Sequence, residues 1–234
     1  MRFLIVSDIH GNIAALRAVV TDAGDVDAVI FLGDAVDYGP CPVECVSWVR
    51  ERAVVAVRGN HDNAVAHGED SRCSPAYRQM AEATCVLHRR LLGPEDKTFL
   101  GRLPIETYFE NDGTRFYAVH AAPTDPMFKY LPEDISDEEL AQEVAPVEAE
   151  VILLGHTHLP FVRRVGGKRV INPGSVGQPK GGDPRASYAL WEDGEAVLRR
   201  AAYPVEETVK TLQAQPLPEM VIEDLMRVLG TGRL

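Results

Sequence analysis

No stretch of the 234-residue chain is apolar for long enough to span a membrane, and the run Phe3-Leu4-Ile5-Val6 stops at Ser7-Asp8, short of a signal-peptide core. A cytoplasmic protein is the expectation. Cysteine is sparse: Cys41, Cys45, Cys73 and Cys85 show no CxxC spacing, which argues against a disulfide framework or a zinc knuckle and leaves buried or idle thiols. Basic residues are in deficit, 24 Lys and Arg against 35 Asp and Glu, and a net charge of −11 lacks the basic footprint that long nucleic acid requires. Internal repeats and low-complexity tracts are missing. What remains, 45% hydrophobic and 25% charged residues, is the composition of a globular domain. The acidity does not exclude a phosphate substrate, because carboxylates that ligate cations leave their site less negative than the sequence implies.

Short apolar runs alternate with amphipathic stretches in the first third, the pattern of an α/β domain. Phe3–Val6, Ala28–Leu32 and Val54–Val57 read as buried strands. Ile13, Leu16, Val19 and Val20 recur at helical spacing, with Asn12 as N-cap and Gly24 as stop, and a second helix is expected over Val43–Arg52. Beyond residue 62 the pattern turns helical, with Ala76–Leu92 ending at Gly93 and a short helix before Leu103-Pro104, so residues 63–114 read as a helical cap inserted in a single domain covering 1–234. Strands resume at Arg115–Val119, Val151–Leu154, Arg169–Ile171, Ser187–Trp191 and Ala196–Ala201. Between the first two of these, Ser136-Asp137-Glu138-Glu139 announces a helix by its capping box. Close spacing and turns such as Glu192-Asp193-Gly194-Glu195 point to antiparallel hairpins late in the chain, before two helices around Glu206–Gln213 and Pro218–Leu229. The simplest assembly is a two-sheet β-sandwich flanked by helices.

The chemistry lies in the turns at the strand ends. The first strand runs into Asp8-Ile9-His10, the second into Gly33-Asp34-Ala35-Val36-Asp37, and the third into Arg58-Gly59-Asn60-His61-Asp62. Two later strands run into His120 and Gly155-His156-Thr157-His158. Carboxyl ends of strands line the ligand crevice in open α/β sheets, so these residues are expected to converge. Each motif alone is weak, since a Gly-Asp after a strand is more often only a turn. Yet His10, His61, His120, His156 and His158 are five of the seven histidines, leaving His67 in a loop and His88 in a helix as solvated or packing residues. The set Asp8, His10, Asp34, Asn60, His120, His156 and His158 offers oxygen and nitrogen without thiolate, which suits manganese, iron, zinc or nickel better than calcium. Seven ligands are too many for one ion and suit two, the pair that clamps entering and leaving oxygens in phosphoryl displacement.

In this order, D-x-H, G-D-x-x-D, G-N-H-D, H and G-H-x-H over Asp8 to His158 resemble the calcineurin-like metallophosphoesterase family, with Asn172-Pro173-Gly174-Ser175 resembling a further segment near its site. The resemblance implies that Asp8, His10 and His158 hold one metal, that Asn60, His120 and His156 hold the other, and that Asp34 bridges them. It implies attack on phosphorus by a hydroxide between the metals, manganese being the first expectation. It gives His61 the role of protonating the leaving oxygen and Asp37 that of orienting it, consistent with an imidazole ordered by a carboxylate acting as an acid near neutral pH. Asp37 reads equally as a turn residue before Tyr38-Gly39-Pro40, and Asp62 as a second such partner or a helix cap. Asn60 and Arg58 are placed on the substrate side, with a surface salt bridge as the alternative for Arg58.

Where Ser/Thr protein phosphatases of the family carry a phosphate-gripping arginine after the aspartate, this chain has Tyr38. The pattern is nearer to small prokaryotic phosphodiesterases and dinucleoside-polyphosphate hydrolases. A small nucleotide-like phosphodiester or phosphoanhydride is therefore the expected substrate. Protein phosphatase activity, for which Arg72, Arg78, Arg89 and Arg90 of the cap offer phosphate contacts, or another phosphomonoesterase activity, and a non-catalytic metal-binding interaction scaffold are the alternatives.

Overall fold

Side-chain alternation in the first strand sets the layers: Phe3 and Ile5 join one apolar cluster, Leu4 and Val6 another, and all four are buried. A strand buried on both faces must lie inside a sheet covered on both sides. In the computed structural model, which describes residues 1–234, the strands in chain order are β1 (Phe3–Val6), β2 (Ala28–Phe31), β3 (Ala53–Ala56), β4 (Glu106–Asn111), β5 (Thr114–Val119), β6 (Val151–Leu153), β7 (Phe161–Val165), β8 (Lys168–Asn172), β9 (Ala186–Glu192) and β10 (Glu195–Ala201). The helices are α1 (Ile13–Ala23), α2 (Pro42–Arg52), α3 (Asn60–His67), α4 (Arg78–Leu91), α5 (Pro94–Arg102), α6 (Asp137–Val144), α7 (Val205–Gln213) and α8 (Glu219–Thr231), with a 3₁₀ turn at Pro75–Tyr77. No helix is long and apolar enough to cross a membrane.

Two five-stranded mixed sheets result, ordered β10-β9-β1-β2-β3 and β4-β5-β6-β8-β7. β1, β2 and β3 pair in parallel, as do β5, β6 and β8, while β4–β5, β7–β8, β9–β10 and β1–β9 are antiparallel. The α/β two-sheet sandwich read from the sequence is the fold. Phe3, Ile5, Ile30, Phe116, Leu153, Ile171 and Trp191 fill the space between the sheets. Leu4, Val6 and Phe31 face the outer layer formed by Leu16 and Val19 of α1 and Val46 and Val49 of α2. On the far side, Tyr117, Ile152 and Val170 meet Leu140 and Val144 of α6, whose N-terminus carries the expected capping box at Ser136 and Glu139. Asn12 caps α1, its side chain accepting from the Ala15 N–H at 3.1 Å.

The helical insertion ends sooner than the sequence pattern predicts. Residues assigned to the cap through 114 include β4, an edge strand of the second sheet. It alternates exposed Glu106, Tyr108 and Glu110 with half-buried Thr107 and Phe109, and Phe109 stacks on Phe116 at 4.7 Å between centroids. β7 likewise escapes the pattern, because an edge strand buries one face only and its charged residues hide the apolar ones. Gly93, expected to close α4, instead starts α5 as its N-cap. The insertion is anchored twice: Val65, Leu92 and Leu100 join the first core, and Met80 and Ala81 of α4 pack with Leu212, Val221, Leu225 and Leu229 of the two C-terminal helices and with Tyr38.

Candidate metal centre

The turns at the carboxyl ends of β1, β2, β3, β5 and β6 bring together residues up to 150 positions apart, all buried. Their backbone is unusual. Asp8, His10, Asp34, Asp37, Tyr38, His156 and His158 all have positive φ, between 46° and 67°. Non-glycine residues rarely occupy that region, and such strain persists where surrounding structure over-determines it, commonly at functional sites. Two glycines permit the close approach. A Cβ on Gly59 would lie 2.0 Å from Asp34 Oδ1, and one on Gly33, at φ +95°, would lie 2.6 Å from His120 Nδ1.

Two groups form, Asp8 with His10 and His158, and Asp34 with His120 and His156, the ligand atoms of each lying within 4.8 Å of one another. Ring orientation is fixed from behind. The Nδ1 atoms of His10, His120 and His158 each lie 2.7 Å from a backbone carbonyl, of Val36, Leu32 and Gln178 respectively. A carbonyl only accepts, so each Nδ1 carries a proton and each ring turns its Nε2 to the centre; burial disfavours a charged His120, but the Asp34 carboxylate beside it raises its pKa to about 9. The Nε2 atoms of His10 and His158 then face each other at 3.3 Å, and His158 Nε2 faces Asp8 Oδ1 at 3.3 Å. In the second group His120 Nε2 lies 3.2 Å from Asp34 Oδ2 and 3.1 Å from Asn60 Oδ1, whose amide is oriented by donating to the Ser71 carbonyl at 2.7 Å. Asp34 Oδ2 is also 4.0 Å from His10 Nε2, which places it between the groups.

Buried lone pairs converging without protons between them repel. Asp8 Oδ1, Asp34 Oδ2 and His156 Nε2 are buried with no hydrogen-bond partner. Cations satisfy all of these atoms together, so the residues fit two divalent ions. The electrostatics agree. Burial drives the pKa of His10 and His156 well below the ordinary imidazole value, keeping their nitrogens available. Burial opposes ionisation of Asp34, yet its histidine neighbours, His120 foremost, hold its carboxyl well below the usual range.

Beside the metal groups, His61 Nδ1 lies 2.7 Å from Asp37 Oδ2. Burial disfavours the charged imidazole, but the Asp34 charge and the Asp37 hydrogen bond raise its pKa above the ordinary value. Its Nε2 faces the Tyr38 hydroxyl at 3.4 Å, and the Tyr38 ring packs 4.8 Å from His10 and 5.0 Å from His61. Asp62, offered as cap or acid partner, is the cap and more. As the third residue of α3 its carboxylate accepts from Gly59 N–H at 3.2 Å, and it also accepts from the N–H groups of Asp34 and Ala35 at 2.7 and 2.8 Å. It therefore ties the start of α3 to the turn that carries Asp34.

The structure turns Arg58 away from the centre: its guanidinium donates to the Gly101 carbonyl and lies 3.4 Å from His67, so it braces α5 instead of approaching phosphate or pairing on the surface. Of the cap arginines, Arg89 donates to the Val65 carbonyl at 2.6 Å and lines a separate surface cleft with Arg78, whereas Arg72 crosses to the ring of Phe128 at 4.5 Å. Sequence reading missed Tyr130, whose ring packs on His156 with centroids 3.8 Å apart and planes tilted by 31°, and His88, treated as packing. His88 is fully buried, accepts from the Asp37 N–H at 2.9 Å and donates to the Gly39 carbonyl at 2.8 Å, so it shapes the Asp37-Tyr38 turn. Its place on the buried face of α4, with Met80, Ala81, Thr84 and Leu87, was the available signal.

The model of the calcineurin-like phosphoesterase superfamily domain matches residues 1–194. An uncharacterized protein of Methanocaldococcus jannaschii is 30% identical over 241 residues, covering 94% of this chain and 96% of its own. Phosphodiesterase YfcE of Escherichia coli is 28% identical over 205 residues, covering 82% and 88%. The crystal structure of a metallophosphoesterase from Sphaerobacter thermophilus superposes with a TM-score of 0.82 at 34% identity, covering 97% of this chain and 99% of that one.

Proposed function

The chain belongs to the calcineurin-like phosphoesterase superfamily, and on that premise we propose that it hydrolyses small phosphodiesters or phosphoanhydrides of nucleotide type, with two divalent transition-metal ions, manganese first among them. The observation that carries the metal reading is the pair of buried ligand groups sharing Asp34, with the Nε2 atoms of His10, His120 and His158 turned inward. When bound, two such ions supply water of lowered pKa and neutralise charge on the phosphoryl oxygens. Asp8, His10 and His158 would hold one, Asn60, His120 and His156 the other, and Asp34 both.

The chain's own groups do the rest. Asp37 holds the His61 ring by Nδ1, leaving an Nε2 proton to be delivered to the leaving oxygen. Burial raises the Tyr38 pKa well above its ordinary value, so it remains a neutral hydroxyl beside that nitrogen. A neutral Tyr38 where phosphatases place arginine supports a diester, which carries less charge on its free oxygens than a monoester dianion and gains less from a guanidinium. The name of YfcE, a phosphodiesterase, agrees with this choice. A cytoplasmic location and a small phosphate-ester substrate, with neither long nucleic acid nor membrane as partner, belong to the same reading. The scaffold alternative is disfavoured because His61 and the ligand set are all in place. The test is a panel of generic diester, generic monoester, dinucleoside polyphosphate, cyclic nucleotide and phosphopeptide, each with a metal series and with chelator. Metal-dependent turnover of the small diesters or anhydrides is expected; turnover of the phosphopeptide ahead of them overturns the assignment.

A further inference from the structure

The loop after β8 is tied to the metal-ligating segments at several points. Ser175 Oγ donates to the Asp8 carbonyl at 2.8 Å, Gly177 N–H donates to the same carbonyl at 2.9 Å, and the Gln178 carbonyl accepts from His158 Nδ1. The packing leaves no room for adjustment, since a Cβ on Gly177 would lie 1.7 Å from the Ile9 carbonyl oxygen. Two residues beyond Gln178 stands Lys180, whose position is therefore set by the metal-ligand framework itself.

Lys180 is half-buried, with no carboxylate within 4.0 Å, and its Nζ rests 4.8 Å from the centroid of Tyr77. Tyr77 in turn packs against Tyr38 at 6.5 Å, and Tyr38 against His10 and His61, so a continuous row of aromatic contacts leads from the ammonium to the metal centre. Lys180 also closes one side of a cleft of about 300 Å³ lined by Leu131, Pro132, Thr157, Leu159 and Phe161, together with Glu133, which makes no ion pair with it. Thr157 separates two of the metal ligands, so the cleft adjoins the centre and offers an apolar wall to an organic substituent. The other cations of the cleft are engaged, Arg163 with Asp137 and Arg200 with Asp183.

A partly desolvated cation with no anion of its own binds an anion well, because its desolvation is already met. We propose that Lys180 is the phosphate-gripping residue of this protein, pairing with a free oxygen of the substrate's phosphoryl group and replacing, from a different loop, the arginine that Tyr38 displaces. The proposal rests on the phosphoester reading of the same site. It adds that the ester's organic substituent lies in the cleft beside Thr157.

The experiment compares the metal-loaded protein with Lys180→Met, which keeps the stem and removes the charge, and Lys180→Arg, which keeps the charge. Inorganic phosphate binding is measured by calorimetry, metal content by elemental analysis, and KM and kcat with a bis-aryl phosphodiester. Loss of one charged hydrogen bond is expected to weaken phosphate binding and raise KM about tenfold or more in Lys180→Met. Metal content should stay equal to that of the natural protein, and Lys180→Arg should recover most of the affinity. If the natural protein turns over the diester but Lys180→Met matches it in KM and phosphate affinity, Lys180 has no such role and the phosphoester reading stands. If no ester is cut while phosphate binding still depends on Lys180, the reverse holds. Equal metal loss in both variants would make Lys180 a structural support and overturn the proposal.

Discussion

His88 Nδ1 accepts the backbone N–H of Asp37 while its Nε2 donates to the Gly39 carbonyl, so a neutral imidazole in one tautomer is built into the turn that presents Asp37 and Tyr38. Burial holds its pKa at about 4, against 6.5 for an ordinary histidine. Between those values the unfolded chain binds a proton that the folded chain refuses, so stability falls as pH falls from 6.5 towards 4, by about 3 kcal/mol at most from this group. His88→Gln, which keeps an acceptor and a donor but does not titrate, is expected to be less stable than the natural protein at pH 7.5, with the gap narrowing by pH 5. Urea titrations at both values measure it, and a gap independent of pH would assign the acid sensitivity elsewhere.

Asp34 faces both ligand groups, so Asp34→Asn is expected to lower the affinity for both metals together and to abolish turnover. Elemental analysis after dialysis distinguishes this from loss of one ion. Retention of both metals with full activity would refute the bridging role.

Replacing His61 by alanine is expected to leave metal content near that of the natural protein while lowering kcat by about 10²–10⁴-fold, the usual worth of general-acid assistance. Asp37→Asn should produce a smaller loss, since it keeps a group at Nδ1 but removes its charge. Metal loss in His61→Ala would make the residue a ligand.

Asp62 satisfies three buried backbone N–H groups. Asp62→Ala leaves them unpaired, at roughly 1–3 kcal/mol each, and is expected to unfold at markedly lower temperature. The milder Asp62→Asn keeps one acceptor oxygen and should fold, with metal affinity reduced about 10–100-fold, as for other residues that position ligands. Thermal melts and metal titrations read the two effects separately; an Asp62→Asn protein with natural metal affinity would confine Asp62 to helix capping.

For the ester preference, kcat/KM is compared for a diester and a monoester with one leaving group, in the natural protein and in Tyr38→Arg. The diester is expected to win in the first, and the margin to shrink in the second. A strong monoester preference in the natural protein would restore phosphatase as the leading assignment.

The candidate metal ligands were legible because each lies within a few residues of a strand end, and strand, turn and ligand type are all local properties of sequence. Asp8-Ile9-His10 after Phe3–Val6, or His156-Thr157-His158 after Val151–Leu153, needs only the rule that parallel strands deliver their carboxyl ends to one edge. Two-sided burial of β1 was equally visible, and with it the sandwich. The edge strands β4 and β7 were not, since a one-faced edge strand of five or six residues carries polar and charged residues that break up its apolar run. Nor were the residues whose function is a long-range contact. His88 acts on a turn 51 positions earlier and Asp62 on one 28 positions earlier, while Arg58, beside the site in sequence, is drawn to Gly101. Lys180 belongs with them. By itself the sequence determined which side chains form the centre, because backbone periodicity and turn chemistry place them. The tertiary structure alone decided which groups brace it and which free charge faces it, because burial, pairing and the absence of a partner arise only when distant segments pack.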